Sequence, residues 1–348
     1  MDRKSGSYSR FSLALCGLGR AGHIHFKGIR MNHRCRLKYI VEDEIDKAEN
    51  ILTTFNMPEV TVVSGKEYNV ILSDPEIQAV VVATPTFTHE EFVTQALKAG
   101  KAVFCEKPIA EQIEQVALCY DEAERAGKPL FCAFNRRFDT SMARIQAKVA
   151  DGEVGKVHVI KTTSRDSPLP SIEYLKISGG MFHDTAVHDL DMICWILGEE
   201  PETIHTMAHS HTPAISDLND VDTIIITMKF PSGALSMTDA SRHSTYGYDQ
   251  RVEVFGAAGM VQCHNPTIDS VVVMKDQSTM TSAAPYSFPQ RYEEAYMSEL
   301  DHFLDLLSDP MKTPKLTKRD TLRATQLAEA CVTSFQTGQV VSFKYKEY

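Results

Sequence analysis

The sequence has no run of about 18 uninterrupted apolar residues, which excludes a helix able to span a bilayer. It has no excess of basic residues either: 36 Lys and Arg face 46 Asp and Glu, for a formal charge of -10. Phosphate binding needs the opposite imbalance on at least one face, so nucleic acid is not an expected partner and a small molecule is. There is no C-x-x-C pair. The eight cysteines (16, 35, 105, 119, 132, 194, 263 and 331) are scattered through apolar runs, where a thiol packs as a small hydrophobe, and the expectation is a reduced, cytoplasmic protein. No fixed-period repeat or low-complexity tract is visible, which excludes solenoid and fibrous classes. The first residues, MDRKSGSYSR, lack the apolar core of a signal peptide, and residues 1–10 read as a disordered N-terminal tag.

What is present is a globular composition, 43% hydrophobic and 24% charged, in a chain of 348 residues, too long for one ordinary core. Two domains are expected, 11–134 and 135–348. In the first, β-type runs (FSLALC, LKYIV, VTVV, AVVVA, AVFC, LFCAF) alternate with helical periodicity, and several are apolar on both faces. That pattern predicts an α/β domain with a doubly wound, parallel Rossmann sheet.

Its first turn carries Gly17-Leu18-Gly19-Arg20-Ala21-Gly22, a G-x-G-x-x-G directly after a strand and opening a helix. The first glycine permits the tight turn, the second lets backbone approach a pyrophosphate, and the third lets helix and strand pack closely. Glu42 and Asp43 follow at the end of the second strand, where a carboxylate accepts from ribose hydroxyls and repels a 2′-phosphate, so NAD is favoured over NADP. Ligands in such sheets bind outside the carboxyl ends of the strands. That adds Thr84, Pro85, Thr86 and His89 after the fourth strand, and Glu106 and Lys107 after the fifth, to the cofactor set. From position alone Lys107 serves equally as a hydrogen-bond donor to substrate or as a surface partner of Glu106.

After residue 150 the runs KVHVIKTTSRD, TIHTMAHSH, DTIIITMKF, ALSMTDASRH, RVEVFGA, MVQCHN and SVVVMK are strand-like, several alternating. Between the first two lies SGGMFHDTAVHDLDMICWILG, with helical periodicity from about Met181 to Leu197. Residues four apart share a helix face, so Asp184 and His188 are neighbours, while His183 and Asp189 point elsewhere. A carboxylate beside an imidazole fixes its tautomer and raises its basicity, which suits a general base; a purely structural His-Asp pair has the same spelling. Metal is not expected. His205, His209 and His211 share strand parity but read as solvated, and the five-residue spacing of His183 and His188 splits them on a helix.

The motifs G-x-G-R-x-G, ATPTFTH, AGKAVFCEKP, FNRRFD, GEVGKV and GGMFHDTAVHDLDMICWILGEEP, in that order, resemble the glucose-fructose oxidoreductase/inositol 2-dehydrogenase (Gfo/Idh/MocA) family from about residue 11 to 306. SRDSPLPSIEYLKISGGMFHDTAVHD and YGYDQRVEVFGAAGM look most like its inositol 2-dehydrogenase branch. The resemblance implies a C-terminal α+β domain with a large, open, mostly antiparallel sheet that binds substrate and joins subunits into a homodimer or homotetramer. It implies that Lys107, Asp184 and His188 are catalytic and that the Lys107-Pro108 bond is cis. Arg137, Arg165, Asp166, Tyr248 and Tyr296 are implied as substrate contacts. The expected reaction is NAD-dependent oxidation of a secondary alcohol of a cyclic polyol or sugar, an inositol first. The alternatives are an NAD(P)-dependent oxidoreductase of another sugar or a dihydrodiol, and a non-catalytic NAD-sensing protein. His183, Thr185 and Ala186 depart from the residues associated with inositol enzymes.

Overall fold

The computed structural model describes residues 10–348. Apart from Arg10, the expected N-terminal tag lies outside the described residues.

Six strands, β1 (Phe11–Cys16), β2 (Cys35–Val41), β3 (Thr61–Val63), β4 (Ala79–Val82), β5 (Ala102–Glu106) and β6 (Leu130–Ala133), form a sheet in the order β3-β2-β1-β4-β5-β6, every pair parallel. The crossovers contain α1 (Arg20–Met31), α2 (Ile45–Thr54), the short α3 (Asn69–Ser73), α4 (Thr86–Lys98) and α5 (Ile113–Ala126). β4 is buried along its whole length, as its unbroken apolar run requires of a strand covered on both faces. Strand order reverses between β1 and β4, so the loops after these two strands diverge and leave a crevice at the sheet's carboxyl edge.

This sheet belongs to a compact unit that runs through Phe134 and takes in Tyr296–Lys318; Asn135–Ala295 and Arg319–Tyr348 form the other. The division into contiguous segments therefore needs one amendment. Phe303 is fully buried with its ring 5.6 Å from Phe104 and 6.2 Å from Phe131, and Arg34 pairs with Asp305 at 2.9 Å. An amphipathic period announces a helix but not the core it joins, and these contacts lie far apart in sequence.

The second unit holds α6 (Thr140–Ala150), β7 (Val157–Arg165), α7 (Ile172–Leu175), a π-helical turn (Phe182–Ala186) and α8 (Val187–Leu197). After these come β8 (Thr203–His209), α9 (Pro213–Ser216), β9 (Thr223–Lys229), β10 (Leu235–Ser241), β11 (Asp249–Gly256), β12 (Gly259–Cys263), the hairpin β13 (Val272–Lys275) and β14 (Ser278–Thr281), and α10 (Phe288–Arg291). α11 (Glu293–Ser308) passes into the first unit; α12 (Lys318–Thr337) and β15 (Val341–Ser342) close the chain. Seven strands form one sheet in the order β12-β11-β7-β10-β9-β8-β15, antiparallel except for β10 on β7. Alternation is clean: Ile160, Thr162 and Ser164 of β7 and Ile224, Ile226 and Met228 of β9 are buried on the inner face, which α6 and α8 cover. The SVVVMK run pairs with β14 outside this sheet. Among the described residues no helix is long and apolar enough to cross a membrane.

Candidate functional site

In the first unit the glycine-rich turn is built as its spelling requires. Gly17 has φ +89°, and a Cβ on it would meet the Ala83 carbonyl oxygen at 2.7 Å. A Cβ on Gly22 would stand 2.1 Å from the Gly17 oxygen, so only glycine lets α1 approach the strand end. A Cβ on Gly19 would meet nothing within 4 Å, leaving open space beside the backbone there. Gly19 is the N-cap of α1 and no side chain caps the helix, so Arg20, Ala21 and Gly22 open it with their backbone donors available to an anion.

Glu42 sits beside this turn: its Oε2 accepts from Leu18 N at 2.8 Å and its Oε1 from Glu44 N at 3.2 Å. Asp43 is drawn away, accepting from Gly65 N at 2.9 Å. Of the two expected carboxylates, Glu42 is the one at the glycine-rich turn. An open cradle, an uncapped helix N-terminus and an adjacent carboxylate suit a dinucleotide with a free ribose 2′-hydroxyl.

At the next strand ends, Thr84, Pro85 and Thr86 form the turn into α4, with Thr88 Oγ1 bonding the Pro85 carbonyl at 2.7 Å. His89, expected at the cofactor, is 1% exposed, which argues against direct contact. Its Nδ1 lies 2.8 Å from Pro108 O and its Nε2 2.8 Å from Thr84 O, tying the loops after β4 and β5 together. Burial pushes its pKa down, while the two carbonyl contacts oppose that shift. Lys107 is half-buried, and its bond to Pro108 is cis, as is Ser167-Pro168. Beside it, Glu106 Oε1 lies 2.7 Å from Nε2 of the buried His25. Cys105, Cys16 and Cys132 are buried next to these loops, and burial raises the Cys16 and Cys105 thiols far above the usual range, so neither is a nucleophile.

In the second unit, Asp184 lies in the π turn and His188 four residues on, in the first turn of α8. A π turn inside a helix is a rare arrangement, frequent at functional sites, and helical periodicity alone could not announce it. Asp184 is clamped: Oδ1 accepts from the Tyr174 hydroxyl at 2.9 Å and Oδ2 from Arg242 Nη1 at 3.2 Å. Arg242, 0% exposed, also donates through Nη2 to Asp220 Oδ2 at 3.1 Å, and Asp220 Oδ1 accepts from Met181 N at 3.0 Å. The other two aspartates of this stretch have arginines of their own. Asp189 faces Arg136 at 3.1 Å and accepts from Ser164 at 2.8 Å; Asp191 takes a bidentate pair from Arg137 at 2.8 and 2.5 Å. Asp189 is thus a core anchor of α8 on β7. His183 is half-buried, and desolvation lowers its pKa.

Two expected substrate contacts are used elsewhere. Arg137 is 1% exposed and committed to Asp191, with Asp320 at 3.1 Å, because its place after β6 turns it into the helical layer. Arg165 has the outward parity of Lys161 and Thr163, on the sheet face opposite α8, where it pairs with Asp239 and donates to the Tyr246 hydroxyl at 3.0 Å. Asp166 and Tyr248 follow inward parity. Asp166 ties β7 to β10 through its backbone (N to Ser241 O at 2.8 Å), and Tyr248 is 7% exposed with its ring 6.0 Å from Tyr292. Tyr296, in the first unit, packs edge-on against His25 at 5.7 Å.

Tyr174, Asp220, Arg242, His25 and Glu299 were not singled out in the sequence. Arg242 left a trace: it continues the buried parity of Ser236, Thr238 and Ala240, and an arginine on an inner face demands a carboxylate.

Residues 11–134 match the oxidoreductase family with an NAD-binding Rossmann fold, and residues 142–262 match the GFO/IDH/MocA C-terminal domain. The myo-inositol 2-dehydrogenase of Thermotoga maritima is 36% identical over 293 residues, 84% of this chain and 86% of that protein. The crystal structure of a myo-inositol dehydrogenase from Corynebacterium glutamicum superposes with a TM-score of 0.88 at 32% identity, covering 97% of this chain and all of that one. The scyllo-inositol dehydrogenase of Lactobacillus casei, solved with bound NAD(H) and scyllo-inositol, superposes at 0.86 with 25% identity, covering 96% and 99%. This chain therefore belongs to the GFO/IDH/MocA oxidoreductase family.

Proposed function

We propose that the protein oxidises a secondary alcohol of a cyclic polyol, an inositol before other sugars, with NAD as the hydride acceptor. The observation that carries this reading is the clamp on Asp184. A buried arginine and a tyrosine hydroxyl fix a carboxylate on the helical segment that presents His188. NAD supplies the redox chemistry when bound. The chain's own residues hold and move the proton. His188 takes it from the substrate hydroxyl, Asp184 orients the imidazole, and Lys107 donates a hydrogen bond to the oxygen as negative charge builds there. The backbone of Gly17 to Gly22 would cradle the pyrophosphate, and Glu42 would receive the ribose hydroxyls. Thr84, Pro85, Thr86 and Glu106 would line the same edge, while His89 holds that edge in shape.

Asp166, Tyr248 and Tyr296 remain the proposed polyol contacts, without Arg137 and Arg165. The inositol assignment also draws on the relatives, among them an enzyme that binds scyllo-inositol together with NAD(H). The outward face of the seven-stranded sheet is proposed to join copies of the chain into a dimer or tetramer. Eight buried cysteines, none of them in a disulfide, suit a reducing compartment such as the cytoplasm.

NADH formation is to be followed with NAD and a panel of inositol isomers, pentoses and hexoses, with an inositol expected to give the highest kcat/KM. NAD binding without turnover of any polyol would point instead to a non-catalytic sensor. Lys107→Met and His188→Ala are each expected to lower kcat by about a hundredfold or more. Near-full turnover in either variant removes that residue from the mechanism.

A further inference from the structure

Glu299, on α11, is 0% exposed, and neither of its carboxyl oxygens has a hydrogen-bond partner. Its acid group faces His25 from α1 and Glu106 from β5; one ligand-type atom from each of the three residues lies within 4.8 Å of the others. The His25 ring is walled by Phe104 at 4.9 Å and by Tyr296, one turn before Glu299 on the same helix, at 5.7 Å. An ionised carboxylate sealed among such rings with no donor is strongly disfavoured, and a second carboxylate alongside makes it worse. A protonated carboxyl, by contrast, has one O–H to give, and the acceptor nearby is Glu106.

We propose that Glu299 is a positioning residue for the cofactor edge: a neutral acid whose proton bonds Glu106, directly or across one bridging water. Glu106 is then held by His25 on one side and Glu299 on the other, and enters the Lys107 turn carrying a single fixed charge. Burial first, and then the charge of Glu106, push the Glu299 carboxyl well above the ordinary range. The inference rests on the reading that Glu106 and Lys107 line the nicotinamide cofactor's site. Its consequence is a dependence of cofactor affinity on pH. Once Glu299 ionises, two negative charges repel within the same pocket and Glu106 loses its second anchor.

NADH fluorescence titrations of the wild type, Glu299→Gln and Glu299→Leu, from neutral to alkaline pH, test this. Wild-type affinity is expected to fall as the solution becomes alkaline. Glutamine, which keeps a donor but cannot ionise, abolishes that fall and stays within about threefold of the wild type at neutral pH, whereas leucine weakens binding by about tenfold, the worth of one buried hydrogen bond. Infrared spectra of the ligand-free protein should show a protonated carboxyl band at neutral pH that Glu299→Gln removes. A glutamine variant that titrates like the wild type, or a wild type without that band, overturns the proposal. So does a stoichiometric divalent metal in the purified wild type that both variants lack, because two carboxylates and an imidazole would then be its ligands. A wild type that binds no NADH defeats the proposed function instead, and the infrared band still decides the state of Glu299.

Discussion

A buried acid that stays protonated works against the fold as pH rises. In the unfolded chain Glu299 releases its proton near its ordinary value of 4.5, while in the folded protein its pKa is raised. Between those two values the native state binds the extra proton, so stability falls with increasing pH by about 1.4 kcal/mol per unit, and the fall ends once pH exceeds the folded value. Glu299→Gln lacks this linkage. Its Tm should match the wild type at or below pH 4.5 and exceed it increasingly toward neutrality, measured by calorimetry in matched buffers. Equal pH dependence of Tm in the two proteins would mean that Glu299 is ionised in the fold. The three aspartates near His188 show the opposite solution to burial, each taking a separate arginine: Asp184 with Arg242, Asp189 with Arg136, Asp191 with Arg137. Removing one partner of such a pair strands the other. These pairings were illegible in the sequence because each spans more than fifty residues; the four-residue spacing of Asp184 and His188 is an α-helical expectation, whereas the structure sets Asp184 in a π turn with its oxygens on Tyr174 and Arg242.

Elements were legible where a backbone rule is local. The glycine turn, the parallel strands of the first unit and the alternating strands of the second follow from period and turn chemistry, and they appear where the sequence expects them. The π turn at Phe182–Ala186 was not legible, since a residue pattern does not reveal which hydrogen-bond register a helix adopts. Nor was the pairing of β13 with β14 apart from the main sheet. The glycine turn separates stability from binding in a testable way. Gly22→Ala would place a Cβ 2.1 Å from the Gly17 oxygen, so α1 must move off the strand end, and a loss of about 2 kcal/mol or more by denaturant unfolding is expected. Gly19→Ala meets no atom within 4 Å and should leave unfolding unchanged within about 0.5–1 kcal/mol, the propensity range for such a swap. Its methyl occupies the space proposed for the pyrophosphate, however, and NADH affinity should fall by about tenfold or more. Should Gly19→Ala bind NADH as the wild type does, the pyrophosphate does not cross that backbone.

On the scale of the whole chain, the feature that its own fold leaves unfinished is the outward face of the seven-stranded sheet. Strand register lines up Met207 with Ile225, and Leu235 through Val159 with Phe255 and then Met260, while Met237 sits beside Lys161, which pairs with Glu253 on its other side. Met207, Leu235, Phe255 and Met260 are each about half exposed in the single chain. At about 4.8 Å per strand and 3.3 Å per residue, the sheet plane offers roughly 650 Å², close to the ~800 Å² per partner of a stable interface. The proposed partner is a second copy: the face carries both signs of charge, in the Lys161–Glu253 and Arg165–Asp239 pairs, around its apolar rows, and a twofold axis would set like rows against each other. Met237→Lys and Phe255→Lys each place a charge in that face. Light scattering should show the wild type as a dimer or tetramer and both variants shifted toward the single chain, with a dissociation constant raised by about tenfold or more, because an unpaired charge must be desolvated for the copies to meet. Far-ultraviolet circular dichroism should be unchanged in both variants, since neither side chain is in the inner core. A wild type that runs as a single chain, or lysine variants that associate as tightly as it does, would leave this face to solvent and place any subunit contact elsewhere.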